Sequence, residues 1–163
     1  MQLIFVIETD KKSQSDFMYI KSTLQRFYKT EGDKFTPIFT GGKGNYNKVE
    51  SQINTLKDKY KKESIVYICY DVDNQMKPTY KLNASIEKYA KTKGYYTIWF
   101  NEDVEQAYIK TSIPDSEKTK RANQFINHNE INNINVKSLE QNTISMKCSS
   151  NILIVLDKAL TRK

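Results

Sequence analysis

The sequence predicts an α/β protein: a sandwich with a central, mostly parallel sheet of about four strands, flanked by helices, and a C-terminal extension. Three observations carry that prediction. Short apolar runs recur through the first hundred residues, "LIFVIE", "FTPIF", "SIVYICYD" and "YYTIWF". Between them, apolar residues repeat at spacings of three and four, the period of one helix face. Strand and helix alternate at lengths that require crossover connections, and such crossovers lie over parallel neighbours.

The elements follow in chain order. Residues 3–8, "LIFVIE", form a continuous apolar run ended by an acid, as short as a strand buried on both faces. After a polar stretch, Phe17, Ile20, Leu24 and Phe27 mark a helix, with Ser15 placed to cap it. "FTPIF", residues 35–39, reads as a strand, and Pro37, which cannot donate to a ladder, makes it an edge strand or an interrupted one. The turn "TGGKGN" leads into a second helix marked by Val49, Ile53, Leu56 and Tyr60. "SIVYICYD", residues 64–71, is the next buried strand, Leu82, Ile86, Tyr89 and Ala90 mark a third helix, and "YYTIWF", residues 95–100, is the last central strand.

Residues 1–110 thus make a core, and 111–163 are read as an extension packed on the same domain. Pro114 interrupts the alternation, "DSEKTKRANQFINH" is helical in character, and an Asn-rich segment with strand-like pieces follows. "NILIVLDKAL" reads as a terminal helix, since Ile152, Leu156, Ala159 and Leu160 share a face, with "ILIVL" as a strand the alternative.

A chain of 163 residues suffices for one domain with a real core. Its apolar runs fall well short of the roughly 18 residues that span a bilayer, and no basic segment precedes the first of them. The expectation is a cytoplasmic protein without a membrane partner. A net charge of +7 favours an acidic partner, nucleic acid first among them, DNA or RNA. The positive charge is almost all Lys, with Arg only at Arg26, Arg121 and Arg162. Cys69 and Cys148 lack metal-ligand spacing and read as reduced structural thiols. His128 is the single histidine, which excludes a multi-His metal centre and argues against a His-based triad.

Chemistry concentrates at the strand ends. Glu8, then Asp71 with Asp73, then Glu102, Asp103 and Glu105 all fall at or just after the carboxyl ends of predicted strands, where ligands collect in such sheets. Asp71 and Asp73 are two apart and share a side if extended geometry persists past the strand. Clustered carboxylates repel unless a cation joins them, and hard oxygen ligands suit Mg²⁺ or Mn²⁺. The competing local reading makes Asp71 and Asp73 the start of a turn before "NQMKP". Lys11 and Lys12 beyond Glu8, and Lys43 in "GGKG", are the candidate phosphate-binding side chains. Tyr67, Tyr70 and Tyr89 read as core positions before they read as base-stacking platforms.

The order "VIE" at the end of the first strand, "YDVD" at the end of a later central strand and "NEDVEQAY" after the next resembles the Toprim fold, the catalytic domain of topoisomerases, bacterial primases and overcoming-lysogenization-defect nucleases. It is most similar to small stand-alone Toprim proteins of bacterial restriction and abortive-infection loci, where a helix after the first acid carries a second and the last acidic motif opens a helix. The likeness covers residues 1–110 and implies a Rossmann-like sandwich. It implies that Glu8 is a metal ligand or general acid/base, that Asp71 and Asp73 are the metal-binding DxD pair, and that Glu105, or else Glu102, serves a second metal. Where the family carries Gly after the first Glu, this chain carries Thr9.

Two functions are therefore expected from the sequence. The first is a Mg²⁺- or Mn²⁺-dependent nuclease acting on DNA or RNA, with Glu8, Asp71 and Asp73 catalytic, in phage defence and with a possible companion ATPase or other defence protein. The alternative is a non-catalytic acidic pocket, either a receiver-like switch or a degenerate Toprim sensor that binds a nucleotide or a partner protein. Glu8 and Asp10 would supply the acidic pair of a receiver.

Overall fold

A computed structural model describes residues 1–73 and 77–163 of the chain. Strands β1 (Gln2–Ile7), β2 (Lys34–Phe39), β3 (Ser64–Asp71), β4 (Tyr96–Asn101) and β5 (Ser149–Ser150) form one sheet in the order β2-β1-β3-β4-β5. The first four are parallel, with Gln2 opposite both Lys34 and Ser64 and Tyr67 opposite Tyr96. Only the short β5 runs antiparallel, pairing Ser150 with Phe100. The α/β class and the mostly parallel sheet follow the sequence reading, and β2, the strand with Pro37, is one of the two edges, β5 being the other. The fifth strand is an addition: "SS" is too short and polar to carry a strand signal of its own.

Helices α1 (Ser15–Phe27), α2 (Glu50–Lys59), α3 (Lys77–Lys93), α4 (Val104–Ile109), α5 (Lys118–Asn127) and α6 (Ile152–Leu156) cover both faces. Side-chain alternation along β1 divides the core. Leu3, Phe5 and Ile7 pack with Tyr19, Ile20 and Leu24 of α1 and with residues of α4, α5 and α6, whereas Ile4 and Val6 pack with Ile53 of α2 and Ile86 and Ala90 of α3. Every residue of β1 is buried, and each large apolar one contributes about 1.5–3 kcal/mol by leaving water. That two-sided burial is why the strand reads as an unbroken apolar run.

The chain after residue 110 joins the first of these cores through Phe125, Leu139, Leu153 and Leu156. Helix α6 stops at Leu156, so Ala159 and Leu160 follow it in a turn. Ser15 is the first residue of α1 and not its cap: Gln14 precedes the helix in the left-handed region, and the Ser15 hydroxyl donates to Asp16 at 3.2 Å. Among the described residues no helix is long and apolar enough to cross a membrane.

The connections place α1 on one face and α2 and α3 on the other. From central β1 the chain moves outward to β2, then crosses back over β1 to β3 and continues to β4. Chain direction thus reverses between β1 and β3, and a crevice opens at the carboxyl ends of those two strands. Glu8 follows the end of β1, and Asp71 is the last residue of β3.

Candidate functional site

Asp71 shares the parity of Tyr67 and Cys69 and so turns to the α1 face of the sheet, where it is buried. Asp16, in the first turn of α1, is buried on the same side. Glu8 closes the group from the β1 side of the crevice. Asp103 caps α4 by accepting from the Gln106 backbone N–H at 2.8 Å, and Glu105 stands fully buried in the first turn of that helix. Two lysines face these acids. Lys118, the first residue of α5, comes within 3.5 Å of Glu105, and Lys43 pairs with Asp73 at 2.9 Å and donates to the Asp71 carbonyl.

The electrostatics are those of too many carboxyls with too little water. Burial is the largest cause of the shift at Glu8, whose carboxyl rises to about 7 as Asp73 pushes it up, while Lys43 and the adjacent Asp71 draw it partly back. Asp16 is raised to about 8 by burial and by the charges of Glu105 and Glu8, with Lys118 opposing. Asp71 is raised well above the carboxylate range by burial, then by Glu8, Asp16 and Asp103. Glu105 rises by burial too, held back by Lys118. Burial pulls Lys118 down, yet Glu105, Asp71, Asp103 and Asp16 outweigh it and its pKa ends above the ordinary value.

The polar accounting agrees with the charges. Glu8 Oε2, Asp71 Oδ1 and Glu105 Oε1 are buried without a hydrogen-bond partner among the described residues, and Glu105 Oε2 meets only the Lys118 ammonium, at 3.5 Å. Buried polar atoms are ordinarily paired, so the unpaired oxygens of Glu8 and Asp71 at the switch point make this crevice the candidate site.

The sequence-predicted residues divide accordingly. Glu8 and Asp71 come together. Asp73 lies on the same rim but parts from Asp71: β3 ends at Asp71, Val72 turns into the core with its N–H on the Phe100 carbonyl, and Asp73 takes φ 57°. Extended geometry stops one residue too early for the two carboxylates to share a side, and the Asp73 side chain is 50% exposed. Of the two later acids, Glu105 belongs to the buried group, beside Asp16 and Lys118. Glu102 joins it only through its backbone, where its carbonyl accepts the Asp73 N–H at 3.0 Å. Lys43 reaches the rim from the turn after Gly41 and Gly42, both at positive φ, so "GGKG" delivers an ammonium there. Lys11 and Lys12 stand exposed in a turn whose N–H groups at Lys12 and Ser13 are held by Asp10, each at 2.8 Å. Asp10 is thereby engaged as a turn former.

Among the described residues, no three His, Cys, Asp or Glu side chains come close enough together to hold one ion. What the structure offers is a pair, Glu8 with Asp71, backed by Asp16. The sequence reading had not singled out Asp16 or Lys118. An acid in the first turn of the helix after β1 was a visible signal for Asp16. Lys118 carried none, since only tertiary packing brings the start of α5 against α1 and α4.

Comparison with protein-family models, with curated proteins and with solved structures finds no match for this chain.

Proposed function

We propose that the protein is a Mg²⁺- or Mn²⁺-dependent phosphodiester hydrolase acting on DNA or RNA, a nuclease of Toprim type, with Glu8 and Asp71 at its centre. One observation carries the reading: the buried Asp71 and the half-buried Glu8, each with a buried carboxyl oxygen lacking a partner among the described residues, flank the strand-order reversal of a parallel sheet. The donor set fits the cation, because Mg²⁺ binds through one or two carboxylates, keeps several waters and takes a substrate phosphate as a further ligand. Glu8 and Asp71 would hold it. When bound, such an ion polarises the phosphate and lowers the pKa of its water.

The rest is work for the chain itself. Glu8 takes a proton from the attacking water through the carboxyl oxygen that the ion does not engage, as the new O–P bond forms and the P–O bond to the leaving sugar oxygen breaks, and that oxygen departs with a proton from solvent. Lys43 leaves Asp73 for the incoming phosphate, an exchange made easy by the exposure of that aspartate. Asp16 holds a proton beside Asp71 and keeps the pocket's charge within what Lys118 can balance.

The test is cleavage of single- and double-stranded DNA and RNA by the purified chain with Mn²⁺, and its arrest by chelator. Asp71→Asn and Glu8→Gln should each abolish cleavage, a loss of several kcal/mol in transition-state stabilisation, at unchanged or raised melting temperature. Mn²⁺ affinity equal to wild type in both variants would overturn the assignment. Nucleic-acid binding without turnover would favour the acidic-pocket alternative.

A further inference from the structure

On the other face of the sheet, behind Tyr70, an open pocket of about 360 Å³ lies between α3 and the segment around residues 142–144. Tyr80, Asn83 and Glu87 line it from α3, spaced three and four apart so that they share one helix face. Trp99 and Tyr70 line it from the sheet. The far wall is held in place by Asn101, which is buried and whose amide donates to the carbonyls of Ile144 at 3.2 Å and Met146 at 2.9 Å.

Two features of this pocket are unexplained by the fold. Tyr80 is a large aromatic 62% exposed, where the other tyrosines of the core faces are covered. Asn83 is 7% exposed, and its amide N–H donates to the Val72 carbonyl at 3.2 Å while its Oδ1 has no partner among the described residues. An acceptor buried this deeply in a pocket wall asks for a donor from outside. Glu87 adds to the bias. Its two oxygens accept from Tyr70 at 2.7 Å and Thr97 at 2.8 Å, so it too presents only lone pairs.

We infer that this pocket binds a nucleobase bearing an exocyclic amine, stacked against the exposed Tyr80 ring over the edge of Trp99, with the amine donating to Asn83 Oδ1. A flat ring with N–H donors matches the aromatic lining and the acceptors of Asn83 and Glu87, Asn142 and Thr143 on the far wall can meet its other edge, and the volume lies at the low end for small-molecule sites, enough for one nucleoside. The location supports a nucleotide rather than a free base. Asn83 is bonded to the residue after Asp71, and the Lys43 ammonium lies 5.5 Å from the centroid of the Tyr70 ring, a cation beside one wall of the pocket. The inference goes beyond the hydrolase reading and does not need it, since a base can be held here whether or not a phosphodiester is cut.

Trp99 is the single tryptophan of the chain and reports on its own pocket. The experiment titrates the full chain, in chelator, with the 5′-monophosphates of guanosine, adenosine, cytidine and uridine, with ribose 5-phosphate and with a short oligocytidine, following Trp99 emission. Saturable quenching by the amine-bearing nucleotides is expected, at least about fivefold tighter than by uridylate, with ribose 5-phosphate inert. Tyr80→Ala, at an exposed position that should not disturb folding, should weaken binding by about fivefold or more. Asn83→Leu should remove the preference over uridylate. The oligocytidine arm names the source: tighter binding per base than cytidylate means a strand, weaker means a free nucleotide. No saturable quenching, equal quenching by ribose 5-phosphate, or affinity unmoved by Tyr80→Ala would overturn the site. Chelator keeps the outcomes separate, because nucleotide binding without Mn²⁺-dependent cleavage sinks only the hydrolase, and cleavage without base preference sinks only this pocket.

Discussion

Asp157, near the C-terminus, accepts from Arg162 through Nε at 2.8 Å and Nη2 at 2.7 Å and from the buried Tyr28 hydroxyl at 2.8 Å, and the guanidinium holds its carboxyl below the usual range. Asp71 sits in the same protein with an oxygen that accepts nothing, in the company of Glu8 and Asp16, and is driven far above that range. The first acid is finished by the fold: Arg162, which also pairs with Glu140 at 2.7 Å, ties the C-terminus to the α1 end, where it bridges Tyr28. The second is left incomplete by it. The contrast teaches where the molecule's stability and its chemistry reside, because charge satisfied within the chain stabilises, and charge left unsatisfied in a crevice is available to a ligand.

Substitution at the two places should therefore act in opposite ways. The largest effect is the loss of cleavage in Asp71→Asn without loss of fold. Asp157→Asn should do the reverse, destabilising by about 1 kcal/mol, since the pair with Arg162 is partly exposed and screened, and leaving any cleavage at the wild-type rate. Denaturant melts paired with the nuclease assay read both, and a destabilised Asp71→Asn with an unaffected Asp157→Asn would break the comparison.

The pH dependence sharpens it. Asp16 has a folded-state pKa of about 8 against an ordinary 3.8, so folding favours its protonated form. Its contribution to stability is full below the unfolded value and drains away as pH rises through that window, and Glu8, raised to about 7 from 4.5, acts in the same direction. In chelator the melting temperature should fall from about pH 5 to about pH 8.5. Asp16→Asn should flatten that slope, whereas a slope unchanged in that variant, or one that rises with pH, would remove Asp16 as its source. The smallest effect belongs to Lys43→Gln, since its partner Asp73 is half exposed: stability should move by less than about 1 kcal/mol. Its nucleic-acid affinity should lose about one from the salt slope if the ammonium meets a phosphate.

Much of this architecture was legible in the chain. Strands buried on both faces show as unbroken apolar runs, and helices packed on one side show as a three-to-four repeat, so β1, β3 and α1 could be read from local pattern. Pro37 pointed to an edge because a missing N–H is a local fact. An acid at the end of a buried strand is equally local, and Glu8 and Asp71 were read as site residues for that reason. The tertiary structure decided what distance along the chain conceals. Whether Asp73 stays with Asp71 depended on the backbone turning at Val72, whose side chain finds room in the core and whose N–H finds the Phe100 carbonyl. Lys118 enters the acidic group only because α5 packs against α1, and the pocket at Tyr80 exists only because Asn101 pins a polar, patternless segment across the end of β4. Periodicity reports the face a residue turns toward its own neighbours in sequence. Which residues from elsewhere meet it there, and whether they satisfy it, is settled by packing alone.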